Sequence, residues 1–210
     1  MKPVVTLLLR GEHDHDFPNL PPELSMRIEP ITSSVTLVRG QTITIVDTGT
    51  PPFAGSILRA LRDQGMSPDD VEYLVVTHQH QDHWRNVGLF PKATLIAGHN
   101  VTAVDGRVDV YREHIPHPDV VIFDTTGHTI PHYSVKVEGL WNGREARIVI
   151  AGDAIREDLV RNGYYVSSRA KPGELSSAQK CLEADVVIPG HYDVLESERI
   201  AELRALLSPA

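Results

Sequence analysis

The stretch VEYLVVT, residues 71–77, is a near-continuous apolar and β-branched run bounded by SPDD and a histidine-rich segment. A run of this kind is a strand buried on both faces, and such strands belong to sheets covered by further layers on either side. DVVIPG (185–190) reads the same way, and ARIVIAGD (146–153) ends in a comparable run. Further strands are expected at 3–9, 34–39, 42–46, 93–98, 120–124 and 133–139. The turn Gly40-Gln41 joins 34–39 to 42–46 as a hairpin. Helical spacing marks 54–65, 174–184 and 196–207. The clearest loops are 10–33 and 100–118, and neither has the composition of a domain linker. Residues 1–210 therefore read as a single domain.

The run at 71–77 ends on HQHQDH, which places His78, His80, Asp82 and His83 within six positions. His78 and His80 are two apart, so at the end of an extended strand they face one side. Asp82 and His83 follow a turn, where a helix begins. One zinc ion takes about four ligands, so four local ligands are too few for two ions. Three later segments each place a ligand beside a glycine: DTTGHT with His128, IVIAGD with Asp153 and VVIPGH with His191. Glycine there permits a sharp turn and close backbone approach. All seven residues are expected on one rim of the sheets, forming one metal site. Isolated histidines are more often surface or hydrogen-bonded residues, so His99, His114 and His117 are set aside. EHDHD (12–16) reads as a solvated acidic loop.

Composition narrows the class. Hydrophobic residues make up 41% and charged residues 23%, ordinary for a globular chain, and the formal charge of −8 argues against an extended surface for long nucleic acid. Cys181 is the single cysteine, which excludes an intrachain disulfide and fits a reducing compartment. The N-terminal apolar run has strand length rather than the form of a signal peptide, and no run is long enough to span a membrane. The expected location is the cytoplasm.

THQHQDH, TGHT, AGD and PGH, in that order, with ITIVDTG (43–49) and SPDDVEYLVVTH (67–78) upstream, resemble the metallo-β-lactamase-fold superfamily. Within it the chain is most similar to the small group called metallo-β-lactamase domain-containing protein 1, on SVTLV, ITIVDTG, NVGLFP and ADVVIPGH. That group is regarded as zinc hydrolases with a proposed ribonuclease role. The resemblance implies an α/β fold, a four-layer αββα sandwich with mixed sheets and metals on the rim. It implies that His78, His80 and His128 hold one ion, that Asp82, His83 and His191 hold a second, and that Asp153 bridges them. Asp47 matches an aspartate that orients a ligand histidine. The chain departs from the pattern at Trp84, Arg85 and Thr126, and His132 occupies a position outside the usual ligand set.

The activity this implies is hydrolysis by a metal-bridging hydroxide, with Asp82 and Asp153 as the catalytic carboxylates and two Zn2+ as cofactors. The substrate would be a small molecule or a short nucleic acid, anionic, with an ester, thioester or phosphodiester to cleave; a homodimer is compatible. Only about 20 residues follow His191, too few for the helical substrate domain of glyoxalase II-type thioesterases. Only 37 residues separate Asp153 from His191, leaving no room for the insert of β-CASP nucleases. Arg156 stands where quorum-quenching lactonases carry tyrosine. The segment 156–174 borders the site on this reading, and Trp84, Arg156, Tyr164 and Arg169 are candidate substrate contacts. The alternative reading is a persulfide dioxygenase with one Fe2+ held by His78, His128 and Asp153.

Overall fold

The computed structural model describes residues 2–16, 27–112 and 115–208. The chain runs β1 (Val4–Leu9), β2 (Glu12–Asp16), β3 (Arg27–Thr32), β4 (Val35–Arg39), β5 (Ile43–Val46), α1 (Ala54–Asp63), β6 (Tyr73–Val76), α2 (Gln81–Trp84) and β7 (Thr94–Ala97). It continues through β8 (Asn100–Thr102), β9 (Val108–Val110), β10 (Val121–Asp124), β11 (Tyr133–Trp141), β12 (Arg144–Gly152), α3 (Glu157–Arg161), α4 (Glu174–Cys181), β13 (Val186–Pro189), β14 (Leu195–Glu196) and α5 (Ser197–Leu206). Every strand and helix expected from periodicity is present, with ends shifted by a few residues.

Eleven strands of a twelve-stranded sheet follow one hydrogen-bonded path, β14-β13-β12-β11-β1-β4-β5-β6-β7-β8-β9, and the twelfth, β10, lies off it beside β11. The path folds back on itself at β1, which pairs with β11 in parallel at Val4 and Val5 and with β4 antiparallel. Three separate cores show how it folds. Val38, Val46, Val75 and Ile96 from the β4–β7 half meet Val135, Val137, Ile148, Ile150, Val186 and Ile188 from the β11–β13 half in a central core. Outside the first half, Ile57 and Leu61 of α1 pack on Val35, Leu37, Ile45 and Leu74. Outside the second, Ala178 and Cys181 of α4 and Ile200 and Leu203 of α5 pack on Val149, Ala151 and Val187. Three cores between four layers make an αββα sandwich. The period-2 alternation within β12, where Ile148 and Ile150 face inward and Val149 and Ala151 outward, explains why such strands are apolar throughout.

Two expectations are corrected. The 10–33 region is not all loop: β2 pairs antiparallel with β3, so EHDHD is a strand rather than a solvated acidic loop. Residues 17–26 between these strands lie outside the described residues. The 100–118 region also contains strands, β8 and β9, which extend the sheet edge from β7; His114 lies outside the described residues. β2 carries no apolar residue, and β8 and β9 are three residues each, so apolar periodicity gives little signal in either region. No helix among the described residues is long and apolar enough to cross a membrane.

The β4–β5 hairpin delivers Asp47 to the rim, and a distant carboxylate pins its turn. Asp119 accepts hydrogen bonds from the Gln41 N–H (2.8 Å), the Thr42 N–H (2.8 Å) and the Thr42 hydroxyl (2.7 Å). Partial burial works against the charged form, but these donors outweigh it and hold the carboxyl below its ordinary range. A depressed carboxyl adds stability above its unfolded pKa and loses it as pH falls through the lower folded value. Asp119→Ala should therefore cost about 2 kcal/mol in urea unfolding at pH 7. The difference from wild type should shrink as pH drops below about 4; an unchanged midpoint at pH 7 contradicts the pinning.

Candidate metal centre

The seven candidate ligands come from both halves of the sandwich and meet at one rim. Thr77 and then His78 follow the end of β6, His80 caps α2, and Asp82 and His83 lie within α2. His128 follows β10, while Asp153 and His191 follow the ends of β12 and β13. They form two clusters. His78, His80, His128 and Asp153 present ligand atoms all within 4.8 Å of one another, and so do Asp82, His83 and His191. Either cluster could hold a metal ion.

Asp153 stands between the clusters with its two oxygens divided. Oδ2 is 3.4 Å from His128 Nε2. Oδ1 is 3.4 Å from His83 Nε2 and 3.5 Å from His191 Nε2. Asp82 Oδ2 closes the second cluster at 3.4 Å from His83 Nε2 and 3.2 Å from His191 Nε2. In the first cluster His128 Nε2 is 3.0 Å from His80 Nδ1.

Two glycines allow this convergence. Gly152 has φ +53°, and a β-carbon there would come within 2.6 Å of Thr77 Oγ1. At Gly190 a β-carbon would overlap Asp153 Oδ1 and crowd His83 Cε1 at 2.9 Å. The backbone is also forced at two non-glycine positions flanking the site, Asp47 (φ +56°) and Tyr192 (φ +71°). Such conformations persist only where the surroundings over-determine them.

Asp47 is fully engaged. Its Oδ1 accepts the Thr77 N–H at 2.8 Å, and its Oδ2 accepts the Thr77 hydroxyl at 2.8 Å and faces His83 Nδ1 at 2.7 Å. With Nδ1–H donated to Asp47, His83 directs its Nε2 toward Asp82 and Asp153.

The electrostatics favour added positive charge. Burial alone would disfavour a charged His83 ring, yet the carboxylates of Asp47 and Asp153 hold it well above the ordinary range. His191 is likewise opposed by burial and pushed up to about 9 by Asp153 and Asp82. Asp82 and Asp153 resist the upward push of burial because His83 and His191 face them, and both lie far below the usual carboxylate range. By contrast His78, shut in by burial and by the neighbouring His83, is held far below its usual value. His132 is pushed down to about 3, chiefly by burial.

A metal ion fits this donor set on one further observation. Nε2 of His78, His83 and His191 and Oδ1 of Asp153 are buried without a hydrogen-bond partner among the described residues. Buried polar atoms are nearly always paired. These four are imidazole nitrogens and a carboxylate oxygen, the ligand types of zinc and related ions.

The clusters open into a pocket of about 300 Å3 lined by His80, Asp82, His128, Asp153 and His191, with Gln81, Arg156, His13 and Ile31. Of the candidate substrate contacts, Arg156 lines this pocket. Its guanidinium is paired to Asp158 and lies 6.0 Å from the Tyr192 ring. The structure does not bring the other three there. Trp84 lines a separate apolar groove of about 390 Å3 with Val76, Gln79, Val87, Leu95 and Ala97, and that groove holds no clustered ligand. Arg169 sits 6.0 Å from the ring of Tyr164, away from the pocket lining. The 156–174 segment nevertheless borders the site, because Lys171 Nζ donates to the His128 carbonyl at 3.0 Å.

Residues that sequence reasoning passed over also meet here. His13, in the stretch read as a loop, places its ring 4.7 Å from that of His191, and its carbonyl accepts the Tyr192 hydroxyl at 2.6 Å. The period-2 alternation of charged residues and histidines in EHDHD was the available signal for a strand. Thr77 gave none, since a threonine at a strand end is commonplace.

This fold and this rim of imidazoles and carboxylates define a class. A model of the Metallo-beta-lactamase superfamily matches residues 28–191, and the chain belongs to that family. The mouse (Mus musculus) Metallo-beta-lactamase domain-containing protein 1 is 35% identical over 160 residues, covering 70% of this chain and 58% of that protein. Its Xenopus laevis counterpart is 32% identical over 179 residues, 80% of this chain and 76% of that protein. The chain thus spans little more than half the length of the mouse relative. The crystal structure of a metallo-beta-lactamase-type protein from Thermotoga maritima superposes with a TM-score of 0.70 at 17% identity, over 94% of this chain and all of the other, a likeness of fold.

Asp47→Ala would leave the His83 ring unanchored. It should lower metal affinity about 10–100-fold with the secondary structure retained. Titration of the metal-free variant with zinc checks this, and an affinity equal to wild type contradicts the orienting role.

Proposed function

We propose that this protein is a dinuclear zinc hydrolase. The observation that carries the reading is the divided carboxylate of Asp153, whose Oδ2 faces one ligand cluster and whose Oδ1 faces the other. In this assignment His78, His80, His128 and Asp153 hold one ion, and Asp82, His83, His191 and Asp153 hold the second. Bound zinc supplies Lewis acidity toward a carbonyl or phosphoryl oxygen and makes water a usable nucleophile near neutral pH.

The chain's own residues do the rest. Asp47 fixes the tautomer and direction of His83. Asp82, which lines the pocket, is the carboxylate assigned to carrying a proton between water and the leaving group. Arg156 sets positive charge at the pocket wall and is assigned to an anionic group of the substrate. We assign the substrate to the esters, thioesters and phosphodiesters that carry such a group, RNA included, and read residues 1–210 as one domain acting in the cytoplasm. The contacts of Trp84, Tyr164 and Arg169 with substrate have no support in the pocket lining.

A mononuclear iron site on His78, His128 and Asp153 would leave Asp82, His83 and His191, a second buried cluster of ligand-type side chains, with no ion to hold. The divided Asp153 favours the dinuclear reading. His80→Ala and His191→Ala should each lose one zinc per chain and abolish turnover of whichever member of a thioester, lactone, phosphodiester and RNA panel the wild type cleaves, with circular dichroism unchanged. One iron per chain with oxygen uptake, or normal turnover in both variants, would falsify the assignment.

A further inference from the structure

His132 belongs to neither ligand cluster, yet it is completely buried against one. Its ring stacks on that of His78, with centroids 4.8 Å apart and planes inclined by 27°. Its Nδ1 lies 2.9 Å from Thr125 Oγ1, which lies 2.8 Å from Ser134 Oγ. Ser134 in turn donates to the Ala151 carbonyl at 3.0 Å.

The protons along this chain can be assigned. Ser134 has one hydroxyl proton and gives it to Ala151, so it accepts from Thr125. Thr125 has then used its own proton and accepts from His132. His132 must therefore carry its hydrogen on Nδ1. The ring is tied at one edge, through two hydroxyls, to the backbone of β12, two residues before Asp153.

His78 needs such support. His83 has a carboxylate behind its Nδ1, but behind His78 Nδ1 the described residues place only the Thr77 hydroxyl, at 3.2 Å. That hydroxyl already gives its proton to Asp47, so it can only accept. One hydrogen bond of this length fixes a point on the ring and leaves the plane free to tilt. A flat neighbour in van der Waals contact removes that freedom, provided it cannot tilt itself.

We propose that His132 is a positioning residue for His78: its stacked ring, locked by the Thr125–Ser134–Ala151 chain, sets the plane of the His78 imidazole and so the direction of Nε2 into the His78–His80–His128 cluster. The inference rests on the reading of that cluster as a metal site. Neither residue type nor spacing alone assigns this role. A phenylalanine would stack but could not be tied at its edge, and a threonine or serine could be tied but would not stack.

The test is titration of the metal-free full chain with zinc, paired with visible spectra of the cobalt-loaded protein and thermal melts without metal. Wild type should take up two zinc ions; failure to bind zinc would overturn the metal assignment and this inference with it. With two ions bound by wild type, His132→Ala should weaken one of them at least about 10-fold and shift the cobalt spectrum, leaving the other ion's affinity within about twofold. His132→Phe, which keeps the stack and loses the edge bond, and Thr125→Val, which loses the bond alone, should both fall between wild type and His132→Ala. These two variants carry the test if His132→Ala does not fold. A purely structural role would lower the melting temperature and leave both zinc affinities unchanged, or weaken them equally, and either result would overturn the proposal.

Discussion

Burying carboxylates and imidazoles together is expensive unless their charges and lone pairs are matched. Asp47, Asp82, Asp153, His78, His83 and His191 are all at most 7% exposed, and they are concentrated at one rim of the sandwich. Asp47 is fully satisfied by Thr77 and His83. His78, His83, His191 and Asp153 direct toward common points nitrogen and oxygen atoms that have no hydrogen-bond partner among the described residues. The rest of the structure can be understood as what is needed to hold that arrangement: apolar strands that place ligands at their ends, glycines that let β12 and β13 approach, and a second ring of hydroxyls that fixes imidazole planes.

The two halves of the sheet contribute differently. The β4–β6 side brings Asp47, Thr77 and the 78–83 turn, so its four candidate ligands are set by local geometry. The β10–β13 side brings His128, Asp153 and His191 on three separate strand ends, so their placement depends on the packing of the whole central core. Ser33 N–H to the Asp82 carbonyl (3.0 Å) and Ser34 N–H to the Gly190 carbonyl (2.7 Å) tie the two sides together across the rim. Metal coordination would add a further cross-link between the halves, coupling ligation to folding.

The meeting of these seven imidazoles and carboxylates was legible in the sequence because coordination chemistry restricts both residue type and position. Histidine and aspartate after a buried strand, with glycine adjacent, leave few alternatives. The four layers were legible because β6, β12 and β13 are apolar on both faces. What escaped was held by long-range or polar interactions. β2 is charged, and it is a strand because of its ladder with β3, while its place at the pocket is held by a Tyr192 hydroxyl 179 residues away. The direction of Trp84 depends on one turn of α2, which carries it to a neighbouring groove though His83 beside it points inward. His132 was noticed as a histidine outside the usual set, but its stack on His78 is a property of the folded rim, as is the hydroxyl chain behind it.

The central claim is that the two clusters, joined by Asp153, enclose a pair of cations. Crystals of the zinc-loaded protein, with diffraction recorded on either side of the zinc absorption edge, address it directly. The account predicts two anomalous peaks, one within coordination distance of His78, His80 and His128 and the other of Asp82, His83 and His191, with an Asp153 oxygen reaching each. A single peak, or none with these side chains hydrogen-bonded to one another instead, would contradict it.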